Sequence, residues 1–279
     1  MHPTEITLGH SPDPDDAFMF FPLATGKIDT GGLVFQHILQ DIQTLNERTL
    51  RQELDVSAIS IHAFPRIAQI YALMPCGASM GDGYGPMVVA PKPCSVGDLR
   101  GMKIAVPGTL TSAYLALRLR LGKFEHVVVP FDQIFSALQN GKADAGLIIH
   151  EGQLTYPKEK LHCILNLGDW WKKETGLPLP LGGNVVKKSL GPVLMKKVTR
   201  IVKESIAYAL AHTGEAIPHI MPYARDLDAA LTQKFVGMYV NDFTLDYGET
   251  GRRAIREFLK RGQEIGIVQE EFELEFVED

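Results

Sequence analysis

His150 follows the apolar run Gly146-Leu147-Ile148-Ile149 and precedes Glu151 and Gly152, which puts an imidazole at the carboxyl end of a predicted strand. Ligands of open α/β sheets bind at the carboxyl ends of strands. An imidazole with its ordinary pKa of about 6.5 accepts a proton at neutral pH, so the chemistry it offers is general base catalysis. A lone histidine is more often structural, and both roles stay open on position alone. A second candidate is Gly108-Thr109-Leu110-Thr111-Ser112, between a predicted strand and a predicted helix. Hydroxyls and unpaired backbone N–H groups at the positive end of a helix bind carboxylate or phosphate, which makes Thr111 and Ser112 the anion-binding candidates. The same residue types are favoured as N-caps without any ligand. Ser57, Ser60 and His62 end a short strand and can face the same space, although hydroxyls in such a turn also satisfy nearby backbone groups.

Other residues offer less. His10 and His62 lie near expected cleft edges, whereas nothing around His2, His37, His126, His162, His212 or His219 recommends them. Gly81-Asp82-Gly83-Tyr84-Gly85 lacks the G-x-G-x-x-G spacing and enters a strand, so no dinucleotide site is expected. Asp13-Pro14-Asp15-Asp16 is acidic enough for a metal loop but lacks the glycine and distal glutamate of a calcium site. Asp15 and Asp16 instead read as helix-capping carboxylates. His150-Glu151 has no second histidine four residues on, and Cys76, Cys94 and Cys163 form no C-x-x-C pair. Neither a metal nor a cofactor is expected.

These residues need a scaffold to position them, and the order of elements supplies one. The 279-residue chain is long enough for two packed lobes, and its 45% apolar and 22% charged content is that of an ordinary globular protein. A net charge of −5 with dispersed Lys and Arg excludes a nucleic-acid footprint. No apolar stretch approaches the ~20 residues of a membrane span, and Met1-His2-Pro3-Thr4-Glu5 is unlike a basic signal sequence, so a cytoplasmic location is expected. Strands are predicted at 6–9, 33–37, 56–60, 87–90, 103–106, 127–129 and 145–149, alternating with helices near 17–21, 42–53 and 112–121. A further helix follows Asp132 as N-cap and stops before Gly141. The alternation implies parallel pairing in an α/β fold. Pro91-Lys92-Pro93 marks a crossing between lobes, and the proline-rich Gly176 to Gly183 leads into a returning strand at 184–186. Helices near 192–212, 215–224, 228–240 and 249–265 would cover the first sheet. The expected lobes are 1–91 with 183–279, and 92–182, with a ligand cleft between them.

Several stretches match a known family. They are His10-Ser11-Pro12-Asp13-Pro14-Asp15-Asp16-Ala17-Phe18, Val56-Ser57-Ala58-Ile59-Ser60, Gly83-Tyr84-Gly85-Pro86, Gly146-Leu147-Ile148-Ile149-His150-Glu151 and Thr175-Gly176-Leu177-Pro178-Leu179-Pro180-Leu181-Gly182. On these the chain resembles the 1,4-dihydroxy-6-naphthoate synthases of the futalosine route to menaquinone, relatives of the type II periplasmic binding proteins. The Ile-Ile-His-Glu stretch and the glycine-proline-leucine run are its more specific parts. The resemblance implies a two-lobed fold with mixed sheets flanked by helices. It also implies a carboxylated small-molecule substrate, cyclic dehypoxanthinyl futalosine, and a carbon–carbon lyase reaction without redox change. By the same resemblance His150 would be the proton acceptor, Thr111 and Ser112 would bind substrate, and Ala58, Ile59 and Ser60 would line the opposite wall. Of those three, Ser60 is the firm correspondence. Two rivals share the fold: a non-catalytic binding protein for a small carboxylate, and a chorismate dehydratase. Sequence sets no oligomeric state.

Overall fold

In the computed structural model residues 4–225 and 227–277 are described. The amino-terminal third alternates as its apolar periodicity requires: β1 (Thr4–His10), α1 (Pro14–Ala24), β2 (Leu33–Leu39), α2 (Ile42–Leu50), β3 (Val56–Ser60), α3 (Phe64–Ile67), β4 (Tyr71–Leu73) and β5 (Ser79–Gly81). The middle third holds β6 (Met87–Ala90), β7 (Lys103–Val106), α4 (Ser112–Leu121), β8 (Glu125–Val128), α5 (Ile134–Gln139), β9 (Ala145–Ile148), α6 (Gly152–Thr155), β10 (His162–Asn166) and α7 (Leu167–Thr175). The chain then returns through β11 (Leu179–Lys187) to α8 (Pro192–Ala211), α9 (Thr213–Ile220), α10 (Ala229–Tyr239), α11 (Asp242–Leu245) and α12 (Gly248–Glu264). No described helix is long and apolar enough to cross a membrane.

Two sheets result. The first runs β2-β1-β3-β11-β4, with β5 also paired to β11, and the second runs β10-β6-β9-β7-β8. Both are mixed. β1 is parallel to β2 and β3, whereas β11 is antiparallel to β3, β4 and β5. In the second sheet β7 is parallel to β8 and β9, and β6 is antiparallel to β9 and β10. β3 is buried at all five positions, the near-continuous burial of a strand covered on both faces.

Helix ends follow the expected side-chain chemistry in several places. Asp41, Thr111, Asn166 and Asp228 cap α2, α4, α7 and α10 by accepting first-turn N–H groups. Gly176, at φ 71°, closes α7 in the left-handed region that a side chain would disfavour. α1, α8 and α9 bury Phe18, Phe20, Val198, Val202 and Ile206 over one face of the first sheet. α12 packs on β11 and also on α4, so Ile255, Phe258 and Leu259 share one core with Leu115 and Trp171.

The differences from expectation are physical. α1 starts at Pro14, a residue suited to the first helical position, so Asp15 and Asp16 lie inside the first turn rather than ahead of it. Asp132 falls within a 3₁₀ turn at Phe131–Gln133 and caps nothing. β11 begins at Leu179 and accommodates Pro180, next to a register shift against β5. Met87–Ala90 belongs to the second sheet, so the first crossing lies at 82–86, ahead of Pro91-Lys92-Pro93. There backbone meets backbone: a Cβ at Gly81 would stand 2.0 Å from the Tyr84 carbonyl oxygen, and one at Gly168 only 1.7 Å from it.

Candidate active site

The carboxyl ends of β1, β3, β7 and β9 open onto one cavity between the sheets. Ala58, Ile59 and Ser60 form one wall with Gly182 and Gly183 of β11. Thr111, Ser112 and Ala113 at the start of α4 form another, beside Ile149. A third consists of Ser11, Asp13, Asp15 and Asp16 at the start of α1, and Phe235 and Tyr239 of α10 line it as well.

The α4 end of the cavity is built to donate hydrogen bonds. Thr111 Oγ1 donates to the Gly108 carbonyl (2.8 Å) and accepts from the Tyr114 N–H (3.2 Å), and Ser112 Oγ donates to the Leu181 carbonyl (2.5 Å). Their hydroxyl protons are therefore committed to the scaffold. What remains for a ligand is the backbone N–H groups of Ser112 and Ala113, which have no partner within the helix. Ser60 is held by Asn46, whose Oδ1 accepts the Ser60 N–H (2.8 Å) and whose Nδ2 donates to Ser60 Oγ (3.1 Å). The Ser60 hydroxyl proton is free to donate among the described residues. His62 clamps this corner: its N–H donates to Ser112 Oγ (3.2 Å) and its Nδ1 lies 3.2 Å from the Thr111 carbonyl. Burial pulls the His62 pKa down to about 4.

The α1 end is acidic. Asp16 accepts the Ser11 N–H at 2.6 Å, and burial nevertheless raises its pKa to about 7. Asp15 is pushed well above the usual carboxylate range by burial and by the neighbouring Asp16 and Asp13. Asp13 accepts from Ser11 Oγ (2.6 Å) and from Arg225 (3.0 Å). The same Arg225 nitrogen lies 2.5 Å from Glu151 Oε1, with its guanidinium 4.7 Å over the Phe131 ring. Arg225 thus ties α1 of the first sheet to the segment after β9 of the second.

His150 stands one residue behind the lining. Ile149 faces the cavity, while the imidazole packs against Phe131 and Phe135 at ring separations of 5.3 and 6.2 Å. Its Nδ1 accepts the Gly152 N–H (3.0 Å) and its Nε2 meets the Phe131 carbonyl (3.0 Å), an arrangement that requires the proton on Nε2. Gly152 permits it, since a Cβ there would stand 2.7 Å from the ring. Burial holds the imidazole pKa below its ordinary value, and Glu151, 3.7 Å from Nδ1, acts in the opposite sense.

Of the residues singled out by sequence, Ala58, Ile59, Ser60, Thr111 and Ser112 share the cavity, and His150 adjoins it. Ser57 is buried and donates to the Ala58 carbonyl, and His10 turns to His37 with 3.0 Å between ring nitrogens. His2 lies outside the described residues. Sequence reasoning saw the acidity of Asp13, Asp15 and Asp16 and assigned Asp15 and Asp16 to capping, and it did not place the three in the cavity lining. It also missed Phe235 and Tyr239, which repeat at the helical spacing of ordinary core residues. Among the described residues no three His, Cys, Asp or Glu side chains converge as a metal site would require.

Two mixed sheets with strand ends meeting at a shared cavity define the periplasmic-binding-protein-like class. A Candida albicans gene product described as having the generic periplasmic binding protein fold matches it at a TM-score of 0.70, with 14% identity, over 96% of this chain and 94% of that one. Such distant likeness shows the fold alone. The chain belongs to the menaquinone biosynthesis family, whose model matches residues 6–264. It is 37% identical over 262 residues to the 1,4-dihydroxy-6-naphthoate synthase of Thermus thermophilus, covering 94% of this chain and 95% of that protein. The synthase of Streptomyces coelicolor is likewise 37% identical, over 269 residues and 94% of each chain. A crystal structure from Archaeoglobus fulgidus matches at a TM-score of 0.91 and 42% identity, covering 96% of this chain and all of that one. The protein is accordingly an enzyme of menaquinone biosynthesis.

Proposed function

We propose that the protein is a carbon–carbon lyase that converts cyclic dehypoxanthinyl futalosine to 1,4-dihydroxy-6-naphthoate, with His150 as general base. The observation that carries this reading is the polarity of the cavity. The substrate carboxylate fits the N–H groups of Ser112 and Ala113 and the Ser60 hydroxyl, at the positive end of α4. The uncharged spirocyclic part then faces Asp15 and Asp16, with Ala58 and Ile59 along its side. The Ile148-Ile149-His150-Glu151 stretch and the two synthase relatives disfavour a chorismate dehydratase.

In this reading the two sheets act as lobes hinged at 82–86 and 176–178. Closure orients the substrate and excludes water, and the imidazole exchanges its Gly152 hydrogen bond for the acidic proton of the ketone-bearing system. Glu151 stabilises the resulting imidazolium. The enolate so formed drives carbon–carbon cleavage and aromatisation. A positioned base contributes ~10²- to 10⁴-fold, and orientation within the closed cleft supplies much of the rest.

The test is incubation of the purified protein with cyclic dehypoxanthinyl futalosine, without added metal or cofactor, following naphthoate by chromatography with mass detection. Product is expected, with turnover cut at least ~100-fold in His150→Ala while binding is nearly unchanged. Full turnover in that variant refutes the base assignment. Commitment of both His150 ring nitrogens to backbone groups favours a second reading, a binding protein, and substrate bound but recovered intact would establish it.

A further inference from the structure

Asp15 differs from every other carboxyl of the cavity. Asp16 is held by the Ser11 amide, and Asp13 by Ser11 and Arg225, but no side chain among the described residues pairs with Asp15. The groups that favour its ionised form are the amides of Asp15 and Asp16 in its own turn of α1. Around it stand Asp13 and Asp16 from the same turn, Tyr239 from α10, and, beyond Asp13, the Glu151–Arg225 pair and His150. Tyr239 donates its hydroxyl proton to Gln153 Oε1 at 2.8 Å, and Arg225 is divided between Asp13 and Glu151, so neither is available to Asp15. His10, at the end of β1, is turned away toward His37. A lone carboxyl beside two others, facing a substrate cavity, is placed to hold a proton and to give it up.

The lyase reading leaves a proton unassigned. The base removes one proton from the substrate. When the carbon–carbon bond then breaks, its electron pair passes into the departing fragment, which must gain a proton to leave as a neutral molecule. We propose that Asp15 is the general acid of this reaction, donating its proton to the departing fragment as that fragment takes up the electron pair of the breaking bond. The proposal rests on the lyase reading above. The step balances: one proton passes from substrate to His150, one from Asp15 to the leaving fragment, and the two side chains exchange protons with water once the products have gone. Burial and the adjacent carboxyls push the Asp15 carboxyl well above its usual range, the direction a proton donor requires.

Two readouts test this. The infrared difference spectrum between the protein and Asp15→Asn, at neutral pH without substrate, should show the C=O stretch of a protonated carboxyl that disappears in the variant. Its absence overturns the proposal. In steady-state kinetics Asp15→Asn should lower kcat by ~10²- to 10⁴-fold with little change in KM. The alkaline limb of the wild-type profile, where activity falls as Asp15 ionises, should vanish, and Asp15→Glu should recover part of the activity. A variant within ~3-fold of wild-type kcat, or one that keeps the same alkaline limb, overturns the role of Asp15 and leaves the lyase reading standing. Failure of the wild type itself to turn over substrate overturns the lyase reading, and the catalytic role with it.

Discussion

Replacing Arg225 by Gln removes a cation that faces both Asp13 and Glu151, and the structure sets the size of the effect. Glu151 has a side chain 5% exposed, one oxygen 2.5 Å from Arg225 and the other without a hydrogen-bond partner among the described residues. Breaking a fully buried ion pair from one side costs ~3–5 kcal/mol, because the remaining charge stays out of water. Arg225 itself is 31% exposed, so solvent already screens part of the interaction and about 2–3 kcal/mol is the better figure. In a chain of this length that corresponds to a fall in Tm of roughly 4–10 °C. The decisive assay is a double-mutant cycle by thermal denaturation. With Glu151→Gln already present, Arg225→Gln should cost less than about 1 kcal/mol, since only the more exposed contact to Asp13 remains. Equal costs in both backgrounds would falsify the argument that Glu151 is the group Arg225 serves. The same substitution removes a positive charge that depresses the His150 pKa, so the imidazole resonance should titrate at higher pH.

Stability should respond to pH through two opposed sets of groups. Burial lowers His10 to about 3 and His62 to about 4. Between those values and about 6.5 the unfolded chain binds more protons than the folded one, so their contribution is full above that window and is lost on acidification. Each costs ~1.4 kcal/mol per pH unit. Asp16, raised to about 7, has the opposite sign: it holds a proton that the unfolded chain releases above about 3.8, so its contribution is lost as pH rises. With the two histidines set against Asp16 and Asp15, whose carboxyls are both raised by burial, the wild type should show a shallow dependence from about pH 4 to 6.5, and Asp16→Asn a steeper acid loss; identical slopes in denaturant titrations would refute the assignment. Asn46→Ala should cost ~1–3 kcal/mol by stranding the buried Ser60 amide, and should raise KM more than it lowers kcat. An unchanged KM would remove Ser60 from substrate binding.

Much of this arrangement was legible in the residues, and the limits have causes. β3, β6, β7 and α4 lie where apolar runs bounded by Gly, Pro and capping residues place them, because local patterning alone decides such elements. β10 and α7 went unseen: the strand is short and half exposed, and the Trp170-Trp171 pair hides the amphipathic face of the helix. Sheet membership of Met87–Ala90 was misjudged, since its partners β9 and β10 are more than fifty residues downstream. Thr111 and Ser112 were singled out for their hydroxyls and for the N–H groups of this helix end alike, and only the fold reveals that Gly108 and Leu181 take the hydroxyl protons. The acidic loop was visible too. That no side chain among the described residues pairs with Asp15 is a property of three-dimensional packing that no spacing encodes.

The contact at Gly81, Tyr84 and Gly168 bears on how such a protein drifts. Where a Cβ would lie within 2.0 Å of a carbonyl oxygen, no neighbouring side chain can move aside to admit it, because the obstacle is the main chain itself. In the cavity walls the neighbours are side chains such as Ala58 and Phe235, and an apolar exchange of similar size there usually costs less than ~1.5 kcal/mol. The join between the sheets has no such neighbours in sequence space. A library built to retune the pocket is best held to apolar exchanges of similar size at the buried Ala58, Ile59 and Phe235, while the codons for Gly81 and Gly168 are best left as they stand.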